Sequence, residues 1–148
     1  MADEPTFEQA LAWMRSSDPE VQEDGFYFAQ RVAAAHVDEL IEAFAAESDR
    51  GLRCWLLELL GDAKSERAYD LFAAQLQSPD ESLQFWAMQG LNALDTPEAL
   101  RLLGEAKHWQ LSTAAETEFF RRQLAETQNP ELRRRSSSST VEMPTDSE

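Results

Sequence analysis

Between Leu52 and Gly61 the apolar side chains fall at Leu52, Trp55, Leu56, Leu59 and Leu60, the spacing of one helix face. Cys54 and Leu57 fill the opposite side, which leaves Arg53 and Glu58 as the strongly polar positions. A helix that is apolar nearly all round is a buried one. At about ten residues it is far short of the ~20 needed to span a bilayer. The pattern predicts the central helix of a soluble helical stack.

The same periodicity appears on both sides of it. Phe7, Leu11 and Met14 make a stripe in a helix over Thr6–Arg15, with Thr6 and Gln9 at capping-box spacing. Ser17-Asp18-Pro19-Glu20 predicts a new start, with Ser17 as cap, and a helix through about Ala34. Val37, Leu40, Ile41 and Phe44 mark a third helix. Ser48-Asp49 precedes the central helix, Gly61-Asp62 ends it, and Ser65 opens a helix carrying Ala68, Leu71, Phe72 and Leu76. Ser78-Pro79-Asp80-Glu81 predicts a further start with Pro79 at the first helical position. Leu83, Trp86, Ala87, Leu91 and Leu94 follow, and Thr96-Pro97-Glu98 opens a helix with Ala99, Leu102, Leu103 and Ala106. Thr113 with Glu116 caps a last helix, about 112–127, whose apolar positions are Phe119, Phe120 and Leu124.

These segments repeat. Val21, Leu52 and Leu83 are 31 residues apart, as are Trp55 and Trp86, Val37, Ala68 and Ala99, and Ile41, Phe72 and Leu103. A helix–turn–helix pattern at constant offset signals a solenoid, whose pairs bury their apolar faces only by stacking. The spacing of Trp55 and Trp86 predicts packing between repeats rather than a ligand-stacking pair.

Leu52-Arg53, Leu56, Leu59-Leu60-Gly61-Asp62 and Ala68, followed by Leu83, Ala87, Gly90-Leu91 and Pro97-Glu98-Ala99-Leu100, resemble HEAT-like repeats in the short form also found in bilin lyases. The first repeat departs from the pattern at Gly25 and Phe28-Ala29. The resemblance covers about residues 18 to 106. It implies an all-α fold, an α-solenoid of about three HEAT-like helix pairs (17–106), with capping helices at both ends (6–16 and 112–127), in a domain of residues 1–130. It also implies that the second helix of each pair lines a concave binding surface. Residues 131–148, with RRRSSSS and a Ser/Thr/Pro-rich end, read as a disordered tail. Ser136, Ser137 and Ser138 there resemble a site for a basophilic kinase.

Charge narrows the function. The formal net charge is −15, which excludes nucleic-acid and anionic-membrane binding and favours a basic partner. Residues 1–49 hold twelve acids and only Arg15 and Arg31 as bases, so ten of the fifteen net charges sit there. Asp38, Glu39 and Glu42 lie opposite the apolar stripe of their helix, and Glu66, Asp70, Glu98 and Glu105 follow on the next second helices. These seven are the candidate docking residues.

Catalytic candidates are weak. His36 and His108 have no zinc-type spacing, and no His-Glu dipeptide of the kind some HEAT-like enzymes use for metal is present. Cys54, the single cysteine, reads as an inert core thiol. No phosphate loop or nucleophile elbow occurs. No metal and no cofactor is expected. The acidic start, MADEPTFEQ, carries no signal-peptide pattern, and a cytoplasmic monomer is expected. The sequence therefore predicts a non-enzymatic module that binds a basic protein: an immunity or inhibitor protein, or an adaptor or assembly chaperone. The alternative implied by the resemblance is a lyase-type repeat protein acting on a bilin or a protein side chain.

Overall fold

The computed structural model describes residues 5–128, and all regular structure among them is helical. Eight α-helices follow in order: α1 Phe7–Met14, α2 Pro19–Val32, α3 Val37–Ala46, α4 Arg50–Ala63, α5 Tyr69–Gln75, α6 Glu81–Leu94, α7 Pro97–Ala106 and α8 Ala114–Gln128. Short 3-10 turns, Ala33–Ala35 and Glu66–Ala68, lead into α3 and α5.

The starts are fixed by a repeated aspartate. Asp18, Asp49 and Asp80, 31 residues apart, cap α2, α4 and α6, each side chain accepting from a backbone N–H of the first turn. Two residues before each, Ser16, Glu47 and Ser78 accept from the aspartate's own N–H. The expected cap Ser17 is thus displaced by Asp18. Pro79 stays outside α6, because Asp80 takes the cap. Pro19 and Pro97 do occupy first-turn positions, where their missing N–H leaves nothing unpaired. α4 runs past Gly61-Asp62 to Ala63 and stops at Lys64, which is left-handed at φ 52°; Asp95 ends α6 in the same way at φ 54°. The capping boxes at Thr6 and Thr113 form as expected.

Packing shifts the phase of the repeat. Among helices consecutive in the chain the tightest pairings are α1 with α2, α3 with α4 and α5 with α6, so the packing unit begins one helix before the unit read from the 31-residue offsets. α1 closes the N-terminal end by lying along α2, and α8 closes the other end against α6. Gly25 permits the α1–α2 approach: a Cβ there would stand 2.5 Å from the Ala10 carbonyl oxygen. One core runs through the stack. Leu57, Leu59 and Leu60 of α4 are fully buried with Leu40, Phe72, Leu91 and Leu103 from its neighbours, each worth roughly 1.5–3 kcal/mol relative to exposure. Arg53 lies half-buried, its guanidinium 4.1 Å from the Phe44 ring centroid and its Nη1 donating to the Glu47 carbonyl.

Rows of helices result. α4 and α6 pack along each other, with Gly61 against Gly90, and Phe26 of α2 meets Trp55 of α4 at 5.0 Å between ring centroids. On the other row α3 touches the 3-10 turn before α5, and these helices are more widely spaced.

Candidate functional site

The seven acids stand on the wider row and all are exposed. Asp38 and Glu39 occupy the first turn of α3, Glu42 the next; Glu66 lies in the 3-10 turn, Asp70 in the first turn of α5, and Glu98 and Glu105 at the two ends of α7. Acids in the first turn complement the helix dipole, which accounts for Asp38, Glu39, Glu66, Asp70 and Glu98 but not for Glu42 or Glu105. Two of them have side-chain partners. Asp38 Oδ1 lies 3.4 Å from Arg67 Nε, and Glu39 Oε1 lies 2.6 Å from His36 Nδ1. The His36 ring stacks flat on Phe7, with centroids 4.2 Å apart. The acids line an open surface and do not converge on one chamber. Such a row attracts a cationic body over about a Debye length, ~8–10 Å at physiological salt.

A groove on the closer row was missed. Between α4 and α6 lies a hollow of about 280 Å³, lined by Glu58, Asp62, Lys64, Trp86, Gln89 and Asn92 among others. Glu58 and Asp62 are one helical turn apart on α4. Burial pushes the Glu58 carboxyl above the usual range, and the Asp62 charge adds to this. Asp62 Oδ2 accepts from Gln30 Nε2 at 2.8 Å. Gln89 Nε2 donates to Thr127 Oγ1 at 2.9 Å, tying the end of α8 to the groove wall. The one signal in the sequence was the i, i+4 acid pair on an otherwise apolar helix.

Trp55 packs on Phe26, and Trp86 meets Phe85 edge-on at 5.0 Å. Both indoles are half-buried, so Trp86 forms a groove wall as well as packing. Cys54 is half-buried rather than a core residue, and burial raises its thiol pKa. Among the described residues, no group of three or more His, Cys, Asp or Glu is placed to hold a metal ion, and no helix is long and apolar enough to cross a membrane. Ser136, Ser137, Ser138 and the expected tail lie outside the described residues.

The chain's fold is similar to the solved complex of CpcE and CpcF of phycocyanin lyase from Nostoc sp. PCC7120. The TM-score is 0.56 at 22% identity, over 86% of this chain and 55% of that one. The chain thus spans about half the length of the chain it resembles, and the likeness is one of fold. No curated protein matches the sequence. Residues 37–116, which begin at the first residue of α3, match the HEAT repeats family. With 80 of 148 residues inside that match, the chain belongs to the HEAT repeat family.

Proposed function

We propose that this chain is a non-enzymatic protein-interaction module that binds a basic protein partner through the acidic row of α3, α5 and α7. The observation that carries this reading is the exposed series Asp38, Glu42, Glu66, Asp70, Glu98 and Glu105 on successive repeats, in a chain of net charge −15. Repeat stacks offer extended surfaces rather than enclosed cavities, and carboxylates on such a surface steer association. The similar phycocyanin lyase structure is itself a complex of two proteins, which is in keeping with a partner-bound role. A cationic toxin covered by this module, as by an immunity protein, is one form; an adaptor or assembly chaperone is the other.

The test is affinity capture of the tagged chain from nuclease-treated native lysate at low and high salt, repeated with Asp38, Glu39 and Glu42 changed together to Lys. A basic protein retained at low salt, weakened by salt and lost with the triple variant at unchanged helical circular dichroism supports docking. Equal retention by the triple variant overturns it. The lyase reading rests on the fold likeness to phycocyanin lyase; colour copurifying with the chain would favour it instead.

A further inference from the structure

We propose that the hollow between the α5–α6 loop, the start of α6 and the α7–α8 loop binds an extended, arginine-bearing peptide segment. Its peptide group pairs with the Gln84 carboxamide, and its guanidinium meets Glu81 and Glu116. Gln84 is the residue that points to a ligand. It lines this hollow of about 310 Å³ and is only 6% exposed. Its carboxamide makes no hydrogen bond among the described residues. Neither of its polar atoms is sealed off, so the open tip of this side chain faces the hollow that it lines. A buried amide without a partner is costly in a folded protein, and leucine would fill the same position of α6 without that cost.

The chemistry of the walls narrows the occupant. A carboxamide donates and accepts at once, and a peptide group answers both needs: its C=O accepts from Nε2, and its N–H donates to Oε1. A bare cation would serve only the oxygen. Glu81 in the first turn of α6 and Glu116 in the first turn of α8 also line the hollow. No basic side chain among the described residues lines it, so the site favours a positive charge. A guanidinium presents its N–H donors as a planar fork, which suits carboxylates. The neighbouring space favours an extended chain over a compact molecule. A second hollow of about 390 Å³ shares Gln77, Gln110 and Leu111 with the first and adds the half-buried Trp109. The site shares no residue with the acidic row of α3, α5 and α7, so it stands or falls separately from the docking reading.

The experiment titrates the full chain with the blocked peptide acetyl-Gly-Arg-Gly-amide and follows its amide and indole NMR signals. The Gln84 carboxamide, the Trp109 indole N–H and the Leu111 amide are expected to shift together, while the Trp13 indole on α1 stays in place. Gln84→Leu is expected to weaken binding about tenfold, as loss of the paired amide implies, and to raise the thermal midpoint of the unliganded chain. Glu81→Gln with Glu116→Gln is expected to weaken binding by a similar factor and to remove its salt dependence. The variant with Asp38, Glu39 and Glu42 changed together to Lys should bind the peptide as wild type does, which separates this site from the docking row. No shift with the peptide, or unchanged affinity in Gln84→Leu, overturns the proposal. Methylguanidinium that shifts Gln84 as strongly as the peptide overturns it too, since the cation alone would then be the ligand. Equal binding of the peptide with citrulline in place of arginine does the same, since the two acids would then play no part.

Discussion

Arg50, the first residue of α4, reaches across the stack to Asp80, the residue that caps α6. Its Nε donates to Oδ2, and Nη2 lies 3.1 Å from Oδ1. The same Oδ1 accepts from the Ser82 and Leu83 N–H groups. One carboxylate therefore starts a helix and ties it to the preceding unit. Asp80→Ala removes both functions and is expected to cost about 1–2 kcal/mol, the range for a lost cap. Arg50→Ala is expected to cost less, because an exposed ion pair contributes only about 0–1 kcal/mol. Urea unfolding of the two variants checks this order, and an Arg50 variant that loses more than the Asp80 variant would refute it.

The same pair sets a pH dependence. The hydrogen bond from Arg50 holds the Asp80 carboxyl below its usual value, and the Ser82 and Leu83 amides add to this against a burial effect of opposite sign. A depressed folded pKa contributes stability that is present above the ordinary value of 3.8 and is lost as pH falls through the folded value. Glu58 behaves oppositely. Its raised pKa contributes stability that is full below the ordinary 4.5 and is lost as pH rises through the folded value. Asp80→Asn is expected to flatten the acid limb of stability, and Glu58→Gln to remove a loss above pH 4.5. Denaturant titrations between about pH 2 and pH 7 check both.

The sequence carried the helices because apolar periodicity survives any packing partner. Leu56, Leu59 and Leu60 read as buried and are buried. The phase of the pairing did not show, since a stripe such as Val37–Leu40–Phe44 is the same whether α3 packs on the helix before or after it. The caps were half legible: Ser17 and Asp18 both suit a cap, and only the 31-residue spacing of Asp18, Asp49 and Asp80 separates them. The exposed acids of α3, α5 and α7 were legible one by one because exposure follows from helix phase. The α4–α6 groove was not, because Glu58 and Trp86 meet only after repeats 31 residues apart have stacked.

Gly90 sits where Phe72 fills the space beside α6. A Cβ at Gly90 would lie 2.4 Å from two atoms of the Phe72 ring, which is itself fully buried. Gly90→Ala is expected to destabilise by about 1–3 kcal/mol through overpacking, despite alanine's better helix propensity. Pairing it with Phe72→Leu should recover part of the loss, as measured by thermal unfolding of the single and double variants. Equal losses in the two single variants with no recovery would point to a cause other than this contact.

Lys64 ends α4 in the left-handed region, a conformation that costs a side chain-bearing residue roughly 1 kcal/mol relative to glycine. No side chain is needed there for the turn itself, whose N–H bonds to the Gly61 carbonyl. Lys64→Gly is therefore expected to raise stability by about 0.5–1 kcal/mol. The gain at the equivalent Asp95 should be smaller, because aspartate tolerates this region better than lysine. Chemical denaturation of each variant decides it, and a destabilised Lys64→Gly would mean that the lysine side chain contributes more than the strain costs.

The acids of the α3, α5 and α7 row should not be equivalent in docking. Asp38 already faces Arg67, so part of its field is spent inside the molecule, and Glu39 is held by the His36 ring. Glu42, Glu66 and Asp70 stand on the same row and are exposed. Replacing these three by Lys is expected to slow association with the captured basic partner about tenfold at low salt, with a smaller change in dissociation, since steering acts on encounter. Replacing Asp38 and Glu39 alone should slow it less per charge. Raising ionic strength should bring wild type and variant together as the Debye length shrinks to ~3 Å at 1 M. Stopped-flow association rates across salt concentrations test this; a variant effect that persists undiminished at high salt would assign these residues to direct contacts rather than to long-range attraction.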